Sequence, residues 1–140
     1  MALWNMHAGN GTNMMLWRTG PHAFRVVEYK GEPGAMLTNY DYVLFDRKYE
    51  GALRTAGAQL RLTPVTITDE VRKRVWRNYL EATILNTASA ADIQNASPAG
   101  AAIYRAGESN VFVSGALKET LQQVVGQSFR FNRGLSWFAS

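Results

Sequence analysis

The stretch from Leu60 to Leu85 constrains this chain most, because a β-like run passes there directly into what reads as one strong helix. Leu60, Leu62 and Val65 follow a strand pattern, and Pro64 confines that strand to an edge or a bulge, since proline cannot donate to a ladder. The spacing then predicts a helix over about 69–86. Thr66 or Thr68 would cap it, and Asp69 and Glu70 would sit at the positive end of its dipole. Val71, Val75, Tyr79 and Ala82 recur near four-residue spacing, with Trp76, Leu80, Thr83 and Ile84 beside them. Arg72, Lys73, Arg74, Arg77 and Glu81 take the opposite side, and Glu70 and Arg74 would form an i,i+4 pair.

Both flanks are β-patterned. Phe24 to Tyr29 is rich in β-branched and aromatic residues, and Met36 to Phe45 reads as one long strand or two short ones. Ala8 to Asn13 and Gly31 to Gly34 are turn-forming, and Asp46 to Ala58 suits a protruding charged hairpin or loop. Ser89 and Asp92 open one short turn of helix. Ala101 to Ala106 and Asn110 to Ser114 make a hairpin around Gly107 to Asn110. Ser114 caps a brief helix over about 115–125, with Leu117, Leu121 and Val124 on one face and Gly126 ending it. An aromatic hairpin, Ser128 to Phe131 and Leu135 to Phe138, closes the chain. The expected fold is α+β and β-rich: an antiparallel sheet or small β-barrel or sandwich with one main helix and a short late one, as a single domain over 1–140.

The inventory for chemistry is thin. There is no cysteine, the only histidines are His7 and His22, and no apolar run approaches a membrane span. Asp41, Asp46 and Glu50 are carboxylates near predicted turns, where solvation explains them better than glycoside cleavage. Gly9-Asn-Gly11 lacks the preceding strand and following helix of a phosphate loop. The chain is therefore expected to be no enzyme and to need no cofactor or metal. Met1 to His7 does not read as a secretory signal, which makes synthesis in a cytoplasm the expectation. Of four tryptophans, Trp76 reads as core, while Trp4, Trp17 and Trp137 suit interface anchoring or ligand stacking. The net charge is +4, and Arg72, Lys73, Arg74 and Arg77 are the candidate phosphate or partner contacts.

The order of elements resembles the tail-tube proteins of contractile-tailed phages and the ring-forming tube proteins of secretion machines. Trp17-Arg-Thr-Gly-Pro-His-Ala-Phe-Arg-Val-Val27 looks like that family's lead-in and first strand. Tyr40 to Asp46, Arg47 to Ala58, Leu60 to Ile67 and Asp69 to Leu85 are similar to its strand, charged loop, strand and helix. Asn110 to Leu117 looks like its late Gly-apolar turn, and Phe129-Arg-Phe131 with Trp137-Phe138 like its aromatic last strand. The family's late-turn proline is missing near Lys118, and its acidic lumens contrast with this basic chain. The resemblance implies a self-assembling structural virion subunit, a homo-oligomeric ring or tube assembled in a host cytoplasm with other virion proteins and without a membrane. Arg47, Lys48, Glu50 and Arg54 would make its inter-subunit contacts, and a Gly/Ser replacement of Asp46 to Ala58 would leave the monomer folded. The alternatives are a capsid decoration or head–tail joining protein, or a small nucleic-acid-binding regulator using the Arg-rich helix face.

Overall fold

The computed structural model describes residues 3–8, 14–39, 41–95, 98–107, 110–124 and 129–133. Among these residues the strands are β1 Trp4–Ala8, β2 Met14–Gly20, β3 Ala23–Tyr29, β4 Met36–Thr38, β5 Val43–Asp46, β6 Leu60–Asp69, β7 Arg74–Ile84, β8 Ile103–Ala106, β9 Asn110–Val113 and β10 Phe129–Arg133. The short helices are α1 Glu50–Leu53, α2 Ala90–Asn95 and α3 Gly115–Gln122. The fold is α+β and β-rich, as the pattern implied. The expected turn at residues 9–13, Tyr40 and the final strand at 135–138 lie outside the described residues, and α3 ends earlier than expected, at Gln122 with Gln123 as its C-cap. Among the described residues no helix is long and apolar enough to cross a membrane.

Four strands, ordered β10-β1-β9-β8, make a wholly antiparallel sheet. Six more, ordered β2-β3-β6-β7-β5-β4, make a curled second sheet in which only β3 and β6 run parallel. A core between the two sheets gathers Met6, Phe45, Leu60, Ala82, Val111, Val113 and Phe129. A second core lies on the other face of the six-stranded sheet and draws on all six of its strands, including Leu16, Phe24, Leu37, Leu44, Ile67 and Trp76. The sheet curls around that core, and the backbone N–H of Leu16 on edge strand β2 donates to the Tyr42 hydroxyl at 3.1 Å, across to the β4–β5 turn. α2 covers Leu3, Ala106 and Phe112 on the outer face of the smaller sheet through Ile93.

The main helix expected over about 69–86 does not exist. Leu60–Asp69 and Arg74–Ile84 form one long antiparallel hairpin, from Leu60 opposite Ile84 to Asp69 opposite Arg74. Asp69 is therefore no first-turn helix acid. It instead accepts the Arg72 backbone N–H at 3.0 Å, an Asx turn, and Lys73 takes a left-handed conformation at φ 57° to start β7. The misleading periodicity has a physical source. Val65 faces Tyr79 but Ile67 faces Trp76, so Arg77 and Asn78 together oppose Thr66 in a β-bulge. A bulge shifts the inside–outside alternation by one residue. Trp76 and Tyr79 therefore reach the second core, and Ala82 and Ile84 reach the first. Buried positions at 76, 79 and 80 then mimic i, i+3, i+4 spacing on a helix.

The segment after β5 is not a protruding loop either. A 3-10 turn at Arg47–Tyr49, α1 and a second 3-10 stretch at Arg54–Gln59 fold it back as a helical elbow. Tyr49, Ala52, Leu53 and Ala56 enter the first core, and the Tyr49 ring sits 4.5 Å from Phe129. Burying Leu53 alone contributes about 2 kcal/mol, so a Gly/Ser replacement of the segment would unfold the monomer. Gly57, at φ 62°, supplies the left-handed step that turns the elbow towards β6.

Several local readings are borne out. Pro64 sits beside the bulge, and β3 pairs with β6 only over Thr66–Thr68, so nothing pairs with Pro64 on that side. Met36 to Phe45 is two short strands paired to each other. Ser89 and Asp92 cap α2 reciprocally, the Ser89 N–H donating to Asp92 at 2.9 Å and the Asp92 N–H to the Ser89 hydroxyl at 3.2 Å. Ser114 caps α3 by accepting from Leu117 N, and the same buried hydroxyl accepts from Ala102 N at 2.9 Å. Two amides join the sheets: Gln59 donates to Ala101 O and accepts from Ile103 N and the Asn86 side chain.

Candidate functional site

Sheet register defines the most unusual surface. Trp17 pairs with Arg25, Arg25 with Thr68, and Thr68 with Val75, so these four residues form one row across β2, β3, β6 and β7. The adjacent row, Arg18, Phe24, Ile67 and Trp76, points into the second core. Alternation therefore puts the first row on the outer face. Leu60 and Leu62 lie on that same face of β6, but the smaller sheet and the elbow cover them. Beyond Pro64 the cover ends. Trp17 is 64% exposed, and Met15, Val27 and Val75 are also exposed around it. Val71 at the hairpin tip is 85% exposed.

The inner row ends in a charged clamp that the sequence did not announce. Arg18 donates to both Glu81 oxygens at 3.2 and 2.7 Å, to the Asp41 carboxylate at 3.0 Å, and to the Asp41 carbonyl. Its guanidinium lies 4.6 Å from the centre of the Phe24 ring. The Glu81 hydrogen bonds, opposed by burial and then helped by Asp41, hold Arg18 charged well above the usual arginine range. Two carboxylates 23 and 63 residues away in sequence are thus gathered on one arginine. Together with the Tyr42 bond, this clamp ties the β2 edge to the β4–β5 turn, and it occupies the centre of a strand edge that would otherwise invite pairing. A hollow of about 350 Å³ remains beside it, lined by Leu16, Trp17, Arg18, Asn39, Asp41 and Tyr42.

The basic residues expected on one helix face are sorted differently by the hairpin. Arg72 pairs with buried Asp69 and lies 3.9 Å from the Tyr29 ring centre. Arg74 pairs with Glu32, not Glu70, and stacks 4.6 Å over Trp76. Glu32 also accepts from the Tyr29 hydroxyl, and its carboxyl lies below the usual glutamate range because of Arg74 first and Tyr29 second. Lys73 sits at the tip and Arg77 at the bulge; both are exposed. The structure brings Arg72 and Arg74 into one staple over the turn after β3 and leaves Lys73 and Arg77 outside it.

Of the elbow residues, Arg47 and Lys48 are exposed, and Lys48 lies 5.2 Å from the centre of the Tyr49 ring. Glu50 and Arg54 pair with each other. Asp46 caps the 3-10 turn by accepting from Lys48 N at 3.1 Å. Asp41, Asp46 and Glu50 therefore serve three separate partners. His7 lies within hydrogen-bond distance of Asn132 in the four-stranded sheet, whereas exposed His22 is in the β2–β3 turn. Among the described residues no three of His, Cys, Asp and Glu converge as a metal site would require. Trp4 packs partly buried against the first core with Lys118 over its ring, and Trp137 lies outside the described residues. Register explains why sequence reasoning missed Arg25 as Trp17's neighbour, since two irregularities in the β2–β3 pair, either side of Leu16 to Arg18, set their pairing. No model of a known protein family matches this chain, and no curated protein or solved structure matches it.

Proposed function

We propose that this chain is a structural subunit, without catalytic activity, that associates with copies of itself in a ring or tube, in the manner its resemblance to tail-tube proteins implies. The observation that carries this reading is the uncovered half of the six-stranded sheet, where Met15, Trp17, Val27 and Val75 stand exposed on one face. Exposed apolar surface of this kind gains by leaving water, and a neighbour is the means of doing so. A contact between this face and a different surface of the next copy is head-to-tail and closes into a ring when the rotation permits. The elbow, with Arg47, Lys48 and the Glu50–Arg54 pair on a core-anchored support, is the surface offered to a stacked ring. On this reading the protein belongs to a virion assembled in a host cytoplasm, with other virion proteins as neighbours.

Light scattering at low and high salt tests the proposal. Apolar association predicts oligomers that persist at high salt, and reduction to monomer by Met15→Ser combined with Val27→Ser. A monomer at every protein concentration and salt would overturn it.

A further inference from the structure

The cations free to meet a ligand are not the set the sequence singled out. Arg72 and Arg74 are held by Asp69 and Glu32 and cover aromatic rings. The Arg25, Lys73 and Arg77 side chains are exposed and make no hydrogen bond or ion pair among the described residues. Two of the three lie on the face that carries the exposed indole, Arg25 beside it and Arg77 three strands across. Arg25 is the cross-strand partner of Trp17, and Arg77 lies in the bulge opposite Thr66, whose partner on β3 is Ala23. The row Trp17, Arg25, Thr68, Val75 and the neighbouring row Ala23, Thr66 with Arg77 and Asn78 contain no carboxylate. Glu28, further along β3, is paired with Lys30, and Asp41, below the edge, with Arg18.

We propose that this outer face binds single-stranded nucleic acid, with a base stacked on Trp17 and phosphates on Arg25 and Arg77. An exposed indole on the outer face of the sheet offers its π-face to any base already out of a duplex, and unpaired guanidiniums on the same face, one beside it and one three strands across, match a backbone running across the strands. The four-strand row spans about 14 Å, three inter-strand spacings. The hollow beside Trp17, where the Asn39 side-chain amide nitrogen makes no hydrogen bond among the described residues, receives the edge of the stacked base. This binding uses the face assigned above to self-association but does not depend on it; the two occupants compete.

The test titrates protein into a fluorescein-labelled oligothymidylate of twenty nucleotides at low ionic strength, following anisotropy. It uses the Met15→Ser, Val27→Ser form where light scattering of the protein alone shows assembly. Failure of the assembly reading is thereby seen in the scattering, and failure of this one in the anisotropy. Saturable binding should weaken roughly tenfold or more in Trp17→Ala. Arg25→Gln with Arg77→Gln should reduce the slope of log affinity against log salt by about 1.4, two phosphate contacts at about 0.7 each. Arg72→Gln should leave that slope unchanged. Absence of binding at low salt, equal binding of a duplex of the same length, or an unaffected Trp17→Ala variant with native circular dichroism would overturn the proposal.

Discussion

The two ends of the β6–β7 hairpin belong to one pair of strands and bury opposite faces. At the end near the elbow, Leu60, Leu62, Ala82 and Ile84 face the first core, while Arg61 and Thr83 on the other side are exposed. Towards the tip, Val65, Ile67, Trp76 and Tyr79 face the second core, while Thr68 and Val75 turn outward. The bulge at Arg77 and Asn78 lies at the changeover. A strand pair shared between two offset cores cannot show a simple period of two, because covered and open faces exchange halfway along. The outer face of the tip half is left as the molecule's open surface, which is why assembly and ligand binding are both argued there.

Abolishing the bulge by lengthening the opposite strand attacks the comparison most directly. Inserting one alanine after Thr66 gives Arg77 and Asn78 a partner each, restores strict alternation and forces either Ile67 and Trp76 outward or the Tyr79 to Ile84 segment out of register, since a one-residue slip exchanges the faces. Losing the burial of a tryptophan side chain is worth about 3–5 kcal/mol, so the expected outcome is a chain unfolded or nearly so in urea melts. A variant as stable as the parent would show that the bulge does not set the two faces.

The next test sets one residue from each side of the divide against the other. Leu53 is fully buried in the first core, and Leu53→Ala is expected to lose about 2–5 kcal/mol through transfer and cavity terms together. Val75 lies on the open row, and Val75→Ala should stay within about 1 kcal/mol, mainly through lost β-propensity. Equal losses in denaturant unfolding would mean that the outer row is covered in the monomer.

Much of the fold was legible because local chemistry agreed with it. Ser114 caps α3, Ser89 and Asp92 cap α2, the β-branched run at Ala23–Tyr29 is a strand, and Pro64 lies where proline is tolerated. What failed was periodicity in the hairpin. The residue types in Val75, Trp76, Tyr79, Thr83 and Ile84 favour a strand, and that composition was the signal outweighed by spacing. The elbow is hidden in the sequence because its charged residues are prominent, whereas Tyr49, Ala52, Leu53 and Ala56 are the residues that hold it. The site was the least legible part. Arg18, Asp41 and Glu81 meet only after β2 folds over the β4–β5 turn, and Arg25 joins Trp17 only through strand register. Non-local pairing of that kind leaves no local trace in a sequence.

The smallest expected effect separates the two ends by pH. At the tip, Glu32 holds Arg74 over Trp76 and accepts the Tyr29 hydroxyl, and its carboxyl is lowered on folding, by Arg74 before Tyr29. A carboxyl with a lowered folded pKa contributes stability that is complete above its unfolded value and is lost as pH falls through its folded value. The staple should therefore hold at neutral pH and release only below the usual glutamate value of 4.5. The other end is tied by Gln59 and Asn86, neutral amides with no proton to gain. Acidification should accordingly shift the Trp76 indole N–H resonance while the Ile103 amide, bonded to Gln59, keeps its position and its exchange protection. Glu32→Gln should abolish the indole step without moving Ile103. Simultaneous steps at both probes would mean that acid acts on the whole fold and not on the tip, and would erase this difference between the ends.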